Sequence, residues 1–462
     1  MKQMQKKVNI VLFFALGLMV SCGRAGTYSE SISHPTYYKD VAPIIGLNCV
    51  PCHRAEGGGP FPLEEYLQVK QKARTIAKVV SSGYMPPWPA DPNYRHFLDE
   101  RVLNDTQKRI LLNWVKMGCP EGSTAEKKDT HGSYHRSNIG KPDLVLELEP
   151  VRLNGDSRDR FFLSKVCGNM NRDTWVSAIE FVPGIPGLVH HFNGHIINYG
   201  THRKNHLSGL RMKEVVSGTY EAVFPELELF NDDGSIPERI HSAVNYLPGM
   251  HGRLLPEGLG TVRLSSRFAI VGNDLHYGPA ERDTVDKSRI NIFFSKRPPS
   301  RPMFELMLGT NGVAKPEPPL IVPAGRYSKH YCRFLVNQDI SLISVNPHMH
   351  LLGKSMKVYA LKPNGDTVRI IHIPKWDFRW QYTYTFTHLL RIPKGSVIVA
   401  EAIFDNTSSN PNNPYHPPRD VAERLEYGGA SMRASDEMLQ CIINWTPYKQ
   451  GDEAFSLKAE RR

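Results

Sequence analysis

The 462-residue sequence predicts a multidomain chain, a small all-α domain followed by two all-β sandwich domains. Three observations carry that prediction. Apolar residues recur at helical spacing between Tyr37 and Met117. From Lys141 onward, polar and apolar residues alternate in short runs separated by Pro-Gly and Asn-Gly turns, the habit of antiparallel strands. The run Lys296-Arg297-Pro298-Pro299-Ser300-Arg301-Pro302 then splits the β region, because adjacent prolines cannot continue a hydrogen-bonded ladder. The expected divisions are a leader at 1–22, a helical domain at 23–122, a linker at 123–140, and β domains at 141–300 and 301–462.

The leader has Lys2, Lys6 and Lys7 ahead of the largely apolar run Val8–Val20, the pattern of an export signal. Thirteen positions are too few to span a bilayer comfortably. Leu18-Met19-Val20-Ser21-Cys22 resembles a bacterial lipobox, which implies a lipid-anchored chain at Cys22. No Asp follows Cys22, which favours the outer membrane, facing the periplasm. Removing residues 1–21 lowers the formal charge from +11 to about +8. No dense Lys/Arg block or aromatic RNA-binding stretch accompanies that charge, so no nucleic acid is expected as partner.

In the helical domain, Leu63–Ser81 and Asn104–Met117 read as helices, the second with Asn104 and Gln107 spaced as a capping box. Tyr37–Ile45 leads into Cys49-Val50-Pro51-Cys52-His53. Cys-x-x-Cys alone suits zinc or a redox dithiol. The adjacent His53, the export signal and the lack of a second nearby cysteine pair point instead to one covalently bound haem c, held by two thioethers and an imidazole. Met85, in Gly83-Tyr84-Met85-Pro86-Pro87-Trp88, is the candidate sixth ligand, with Met117 and His96 as alternatives. Cys119, Cys167, Cys332 and Cys441 remain, and Cys332 with Cys441 is the preferred disulfide because both lie in the last domain.

Four features in the β region suit a metal: Val189-His190-His191-Phe192, Leu275-His276-Tyr277-Gly278, Asn346-Pro347-His348-Met349-His350, and Ser435-Asp436-Glu437-Met438. His348 and His350 are two apart, so on a strand both rings share a face. Met438 adds a thioether, and imidazole with thioether favours cuprous copper. His190 and His191 are adjacent and would point to opposite faces unless a bulge or turn brings them together. With His276 they make an all-nitrogen set that tolerates copper and also suits zinc. A lone His-x-His is commonly only a surface pair. The carboxylates of Glu401, Asp405, Asp436 and Glu437 show no catalytic spacing and read as solvent-facing.

Together the four features resemble the copper type II, ascorbate-dependent monooxygenases, the family of peptidylglycine alpha-hydroxylating monooxygenase and dopamine beta-monooxygenase. The resemblance spans about 141–455, and the helical domain resembles small cytochrome c domains over about 35–120. It implies two jelly-roll modules, two copper ions with an open gap between them, and an enzyme that hydroxylates a C–H bond with O2. The family's first copper role falls on His190, His191 and His276, and its oxygen-binding copper role on His348, His350 and Met438. Electrons would come from a periplasmic donor or small reductant through the haem to the His190/His191/His276 copper. The substrate is an unidentified organic molecule or peptide. Where the peptide-hydroxylating member has a carboxylate-holding arginine this chain has Asn346, and where it has peptide-contacting asparagine and tyrosine stand Gln440 and Ile442. A C-terminal glycine substrate is therefore not expected. The alternative readings are a periplasmic haem- and copper-binding redox or sensor lipoprotein without turnover, and a zinc or iron hydrolase on the same sandwich. The oligomeric state is open.

Overall fold

A short helical bundle precedes two β modules, each made from paired antiparallel sheets around one core. The computed structural model describes residues 33–459 apart from 56, 128–136, 138, 157, 216–223, 251, 261, 427–428 and 431–432. The expected leader with Cys22 lies outside the described residues, as does half of the expected linker. Among the described residues, no helix is long and apolar enough to cross a membrane.

The bundle comprises Ala42–Asn48, Tyr66–Gln71, Ala73–Ser81 and Asp105–Lys116. The stretch expected as one helix is two, broken at Lys72. The capping box is present: the Gln107 amide donates to Asn104 Oδ1 at 2.9 Å and the Asn104 amide to Gln107 Oε1 at 3.0 Å, covering two otherwise unpaired N–H groups. Val41, Ile45, Val69, Leu111 and Trp114 close a small core.

The first β module stacks two sheets. One has the order Met212–Glu214, Arg160–Asn169, Arg267–Tyr277, Val189–Asn198, Glu238–Tyr246, and the other Leu144–Glu147, Arg289–Phe294, Thr174–Val182, Val262–Leu264. Phe192, Ile196, Phe268 and Ile270 from the first sheet meet Leu146, Val176, Phe181 and Ile290 from the second. The second module pairs the sheet Phe304–Gly309, Leu439–Pro447, Ile340–Met349, Tyr384–Ile392 with the sheet Tyr327–Leu335, Val397–Asp405, Gly353–Leu361, Thr367–Ile373. Its core includes Leu342, Val345, Met356, Val358, Ala400 and Ile443.

The helical domain is not one unit out to residue 122, as its sequence suggests. Ala90 and Phe97 are buried in the second module's core, with Trp88 and Leu98 packed against it. The Asp91 amide donates to the His372 carbonyl at 2.8 Å and the Leu98 amide to the Thr385 carbonyl at 2.9 Å. Asp99 pairs with Arg253 of the first module, and Arg101 donates to the Gly249 carbonyl. The segment around 88–101 is thus a strap that fixes the bundle to both β modules.

Cys49, Cys52, Cys119, Cys167, Cys332 and Cys441 are all free. Cys332 and Cys441 lie on facing sheets of the second module, both buried, yet unbonded, which corrects the expected disulfide.

Candidate metal and haem centres

The first histidine cluster depends on a register shift. Val189 pairs with Tyr277 but His191 pairs with His276, so His190 is an extra residue on its strand. Such a bulge turns both neighbours toward one partner. The His190 and His191 rings accordingly lie 4.7 and 4.9 Å from the His276 ring. Phe161 stacks on the far side of His276 at 4.2 Å.

Two carboxylates join these rings. His276 Nε2 donates to Asp159 Oδ1 at 3.0 Å, and His190 Nδ1 is 4.0 Å from the same oxygen. Asp159, His190 and His276 each offer a ligand atom within 4.8 Å of the others, so the expected all-nitrogen set gains an oxygen. His191 donates from Nε2 to Asp274 Oδ2 at 2.6 Å, which leaves its Nδ1 as the ligand atom. Burial opposes charge on His191, but the Asp274 carboxylate outweighs it and raises the imidazole. Tyr277 is fully buried and donates to Asp286 at 2.8 Å, so it belongs to the core.

A methyl group at Gly278 would stand 2.5 Å from His190 Nε2. Gly278→Ala is expected to displace His190 and weaken metal binding at this cluster by about 10- to 100-fold, the usual cost of disturbing a ligand's support. An unchanged affinity by calorimetric titration would count against the cluster.

In the second module, the His348 and His350 rings lie 5.1 Å apart. His348 pairs with Gln440 and Met349 with Leu439, and continuing that register by one sets Met438 across from His350. Met438 itself is buried. Both imidazoles are oriented from outside. His350 Nδ1 donates to the Asp436 carbonyl at 2.9 Å, and His348 Nδ1 donates to Gln381 Oε1. The Gln381 amide is itself fixed by donating to the Phe378 carbonyl at 2.8 Å. Each Nε2 is left for a metal.

Glu437 is 1% exposed, contrary to the solvent-facing reading. Its carboxylate accepts from the amides of Leu352 at 2.7 Å, His350 at 3.1 Å and Met438 at 3.2 Å. That clamp ties the two ligand segments together. Burial pushes Glu437 up to about 8, with the three amide bonds pulling the other way.

The two clusters influence each other's charge. Burial raises Asp274, but His191 overcomes it, and the charges of His276 and His350 pull in the same direction. His348 is driven down to about 3, by burial first and then by His350, while Asp274 opposes the shift. His276 falls to about 4 from burial and from His191 and His190. These rings stay neutral and able to bind metal well below the ordinary value of about 6.5. Between about pH 6.5 and those values, the unfolded chain binds protons on His276 and His348 that the fold refuses. Stability of the metal-free protein should therefore fall as pH drops from 7 to 5, with the raised His191 opposing in part. Denaturant midpoints at both pH values check this, and a midpoint that rises on acidification would contradict it.

Cys49, Cys52 and His53 follow the helix Ala42–Asn48 in one turn, with the His53 amide on the Cys49 carbonyl at 2.8 Å. His53 Nδ1 donates to the Phe61 carbonyl at 3.0 Å, which leaves Nε2 for iron. Burial raises both thiols, Cys49 to about 12. Met85 is half-buried beyond the helix Ala73–Ser81, its amide on the Val79 carbonyl at 3.2 Å. The alternatives Met117 and His96 are exposed, and His96 is bonded to Glu100. Trp88 Nε1 and Tyr382 Oη are buried without a hydrogen-bond partner, and Tyr382 feels the charges of Arg101 and Cys52. Two thiols, a free imidazole nitrogen and orphaned donors nearby fit a haem with its carboxylate edge.

Sequence reading missed Asp159, Asp274, Gln381 and the role of Glu437. Only Asp274-Leu275-His276 carried a signal, since residues two apart share a strand face.

No family model matches the chain, and no curated protein does. Among solved structures, similarities include one of the infectious bursal disease virus Gx strain, at 10% identity over 69% of this chain and 78% of that chain with a TM-score of 0.17. Others are the PBSX exported protein XepA, at 8% identity over 66% and 86% with a TM-score of 0.14, and PNGF-II, at 10% identity over 76% and 71% with a TM-score of 0.20. TM-scores this low carry no argument about fold or function.

Proposed function

We propose that the chain is a copper-dependent monooxygenase of the type II, ascorbate-dependent kind, with jelly-roll β modules and a fused c-type haem domain. It would be lipid-anchored at the outer membrane of a cell envelope, facing the periplasm. The observation that carries this reading is a histidine cluster in each β module, with His191, His276, His348 and His350 each bonded through one ring nitrogen. His190, His276 and His191 Nδ1 would hold one copper; His348 Nε2, His350 Nε2 and Met438 would hold the other. Bound copper and haem supply the one-electron chemistry by which O2 is split between a hydroxylated C–H carbon and water.

The chain's own groups position that chemistry. Gln381 and the Asp436 carbonyl fix the ring orientations of His348 and His350. Glu437 holds the Met438 segment against the His350 strand. The thioether favours a cuprous ion in the second module, whereas an all-imidazole or mixed site tolerates both oxidation states. Asn346 donates to the Tyr382 carbonyl at 3.0 Å and is committed to structure, in keeping with a substrate other than a C-terminal glycine.

Elemental analysis of protein matured in the periplasm, followed by oxygen-uptake screening with ascorbate, tests the reading. Two coppers, one haem and substrate-dependent uptake are expected; metal binding without uptake would favour the redox or sensor alternative. The Asp159 carboxylate favours one further reading, in which the first cluster holds zinc or ferrous iron through two histidines and a carboxylate. The same analysis separates it.

A further inference from the structure

The docked strap gives the helical domain a fixed neighbour in the second module, which bears on where its electron goes. Resting on the function proposed above, we propose that the haem domain reduces the His348–His350–Met438 centre directly, across a bridge made of Trp88, Tyr382 and Gln381. The electron balance is simple: ferrous haem becomes ferric, one cupric ion becomes cuprous, and no proton moves.

The bridge is read from contacts. Met85, the candidate iron ligand, is three residues from Trp88 along a proline-stiffened chain. The Trp88 ring stacks on Tyr382 with centroids 5.9 Å apart and an interplanar angle of 24°. Tyr382 is bonded through one peptide to Gln381, whose side chain accepts from His348 Nδ1. Asn346 adds a parallel link, donating to the Tyr382 carbonyl at 3.0 Å from the strand that carries His348. Between Met85 and His348 this route crosses one aromatic stack. Tyr382 is buried and wedged between Trp88 and Trp380, so the stack has little room to open.

A second route leads toward the three-histidine cluster and is the one the test must distinguish. It starts on a 3.7 Å contact from Cys52 Sγ to the Pro248 carbonyl. From there it must follow Leu247 to Tyr246, cross to Phe192 on the neighbouring strand, and then return along the chain to His191.

The test uses the full chain with haem and both coppers in the oxidised state. A substoichiometric one-electron pulse reduces the haem anaerobically, and reoxidation is followed in the haem visible band alongside loss of the cupric EPR signal. A fast reoxidation phase is expected in the parent chain and in His276→Ala, which empties the first cluster. It should vanish in His348→Ala. Tyr382→Leu and Trp88→Leu should lose the fast phase when it is read only on chains whose haem and copper loading absorbance and elemental analysis confirm, whereas Tyr384→Phe, a buried neighbour off the bridge, should keep it. Having two bridge variants guards against one that fails to fold. A fast phase that survives in His348→Ala but disappears in His276→Ala overturns the proposal, as does one that survives in both bridge variants. Metals present without any haem reoxidation sink this inference alone; a chain that takes up neither haem nor copper sinks the underlying function too.

Discussion

Met438→Leu is expected to leave the first-module metal in place and to strip most of the cuprous copper from the second. The choice of leucine matters. Met438 is 3% exposed, so truncation to alanine would open a cavity costing about 2–5 kcal/mol and confuse loss of packing with loss of a ligand. Leucine keeps nearly the same volume, a swap that usually costs under about 1.5 kcal/mol, and removes only the sulfur. The Glu437 clamp uses the Met438 backbone amide and survives the change. His348 and His350 also keep their outer hydrogen bonds, so cupric binding should weaken less than cuprous binding. Elemental analysis under reducing conditions, with X-ray absorption for a sulfur neighbour, reads the outcome. Two coppers per chain without any sulfur contact, in both parent and variant, would remove Met438 from the site and the oxygen-binding role with it.

The contrast between what was legible in the sequence and what was not follows physical lines. Strand alternation and the paired prolines at Pro298-Pro299 are local, and they gave the β modules and the break between them. His348 and His350 are readable for the same reason, since a spacing of two defines a strand face without tertiary knowledge. The bulge at His190 is not local. It exists because Val189 and His191 take their partners from a strand nearly 90 residues away, and no spacing within the chain announces that register. Gln381 lies outside every histidine motif and reaches His348 only because the loop after Thr367–Ile373 folds back over the sheet. Glu437 looked like one of many surface carboxylates; its burial comes from three backbone amides converging on it. The strap was misread in another way. The apolar residues beyond its prolines, Ala90 and Phe97, fill the core of a domain more than 200 residues further along, which no local pattern announces.

That strap decides how the haem's contribution should be tested. Excising the helical domain would remove Phe97 and Ala90 from the second module's core and unpair the backbone at His372 and Thr385, so lost activity would report damage rather than a missing donor. Cys49→Ala with Cys52→Ala leaves the strap intact. Both thiols are only partly buried and small, so the change costs little packing. The double variant is expected to lack covalent haem, to load both coppers, and to keep oxygen uptake driven by ascorbate. Uptake driven by a reduced periplasmic cytochrome should drop by about 100-fold or more, because a donor fixed to its acceptor holds an effective-concentration advantage of that order over a free one. Haem absorbance, copper content and oxygen consumption on one preparation separate the possibilities. Equal loss with both donors would mean that the cysteine turn supports the metal sites structurally. Equal retention would mean that the physiological electron bypasses His53 and its neighbours, which would leave the bundle as a docking module only.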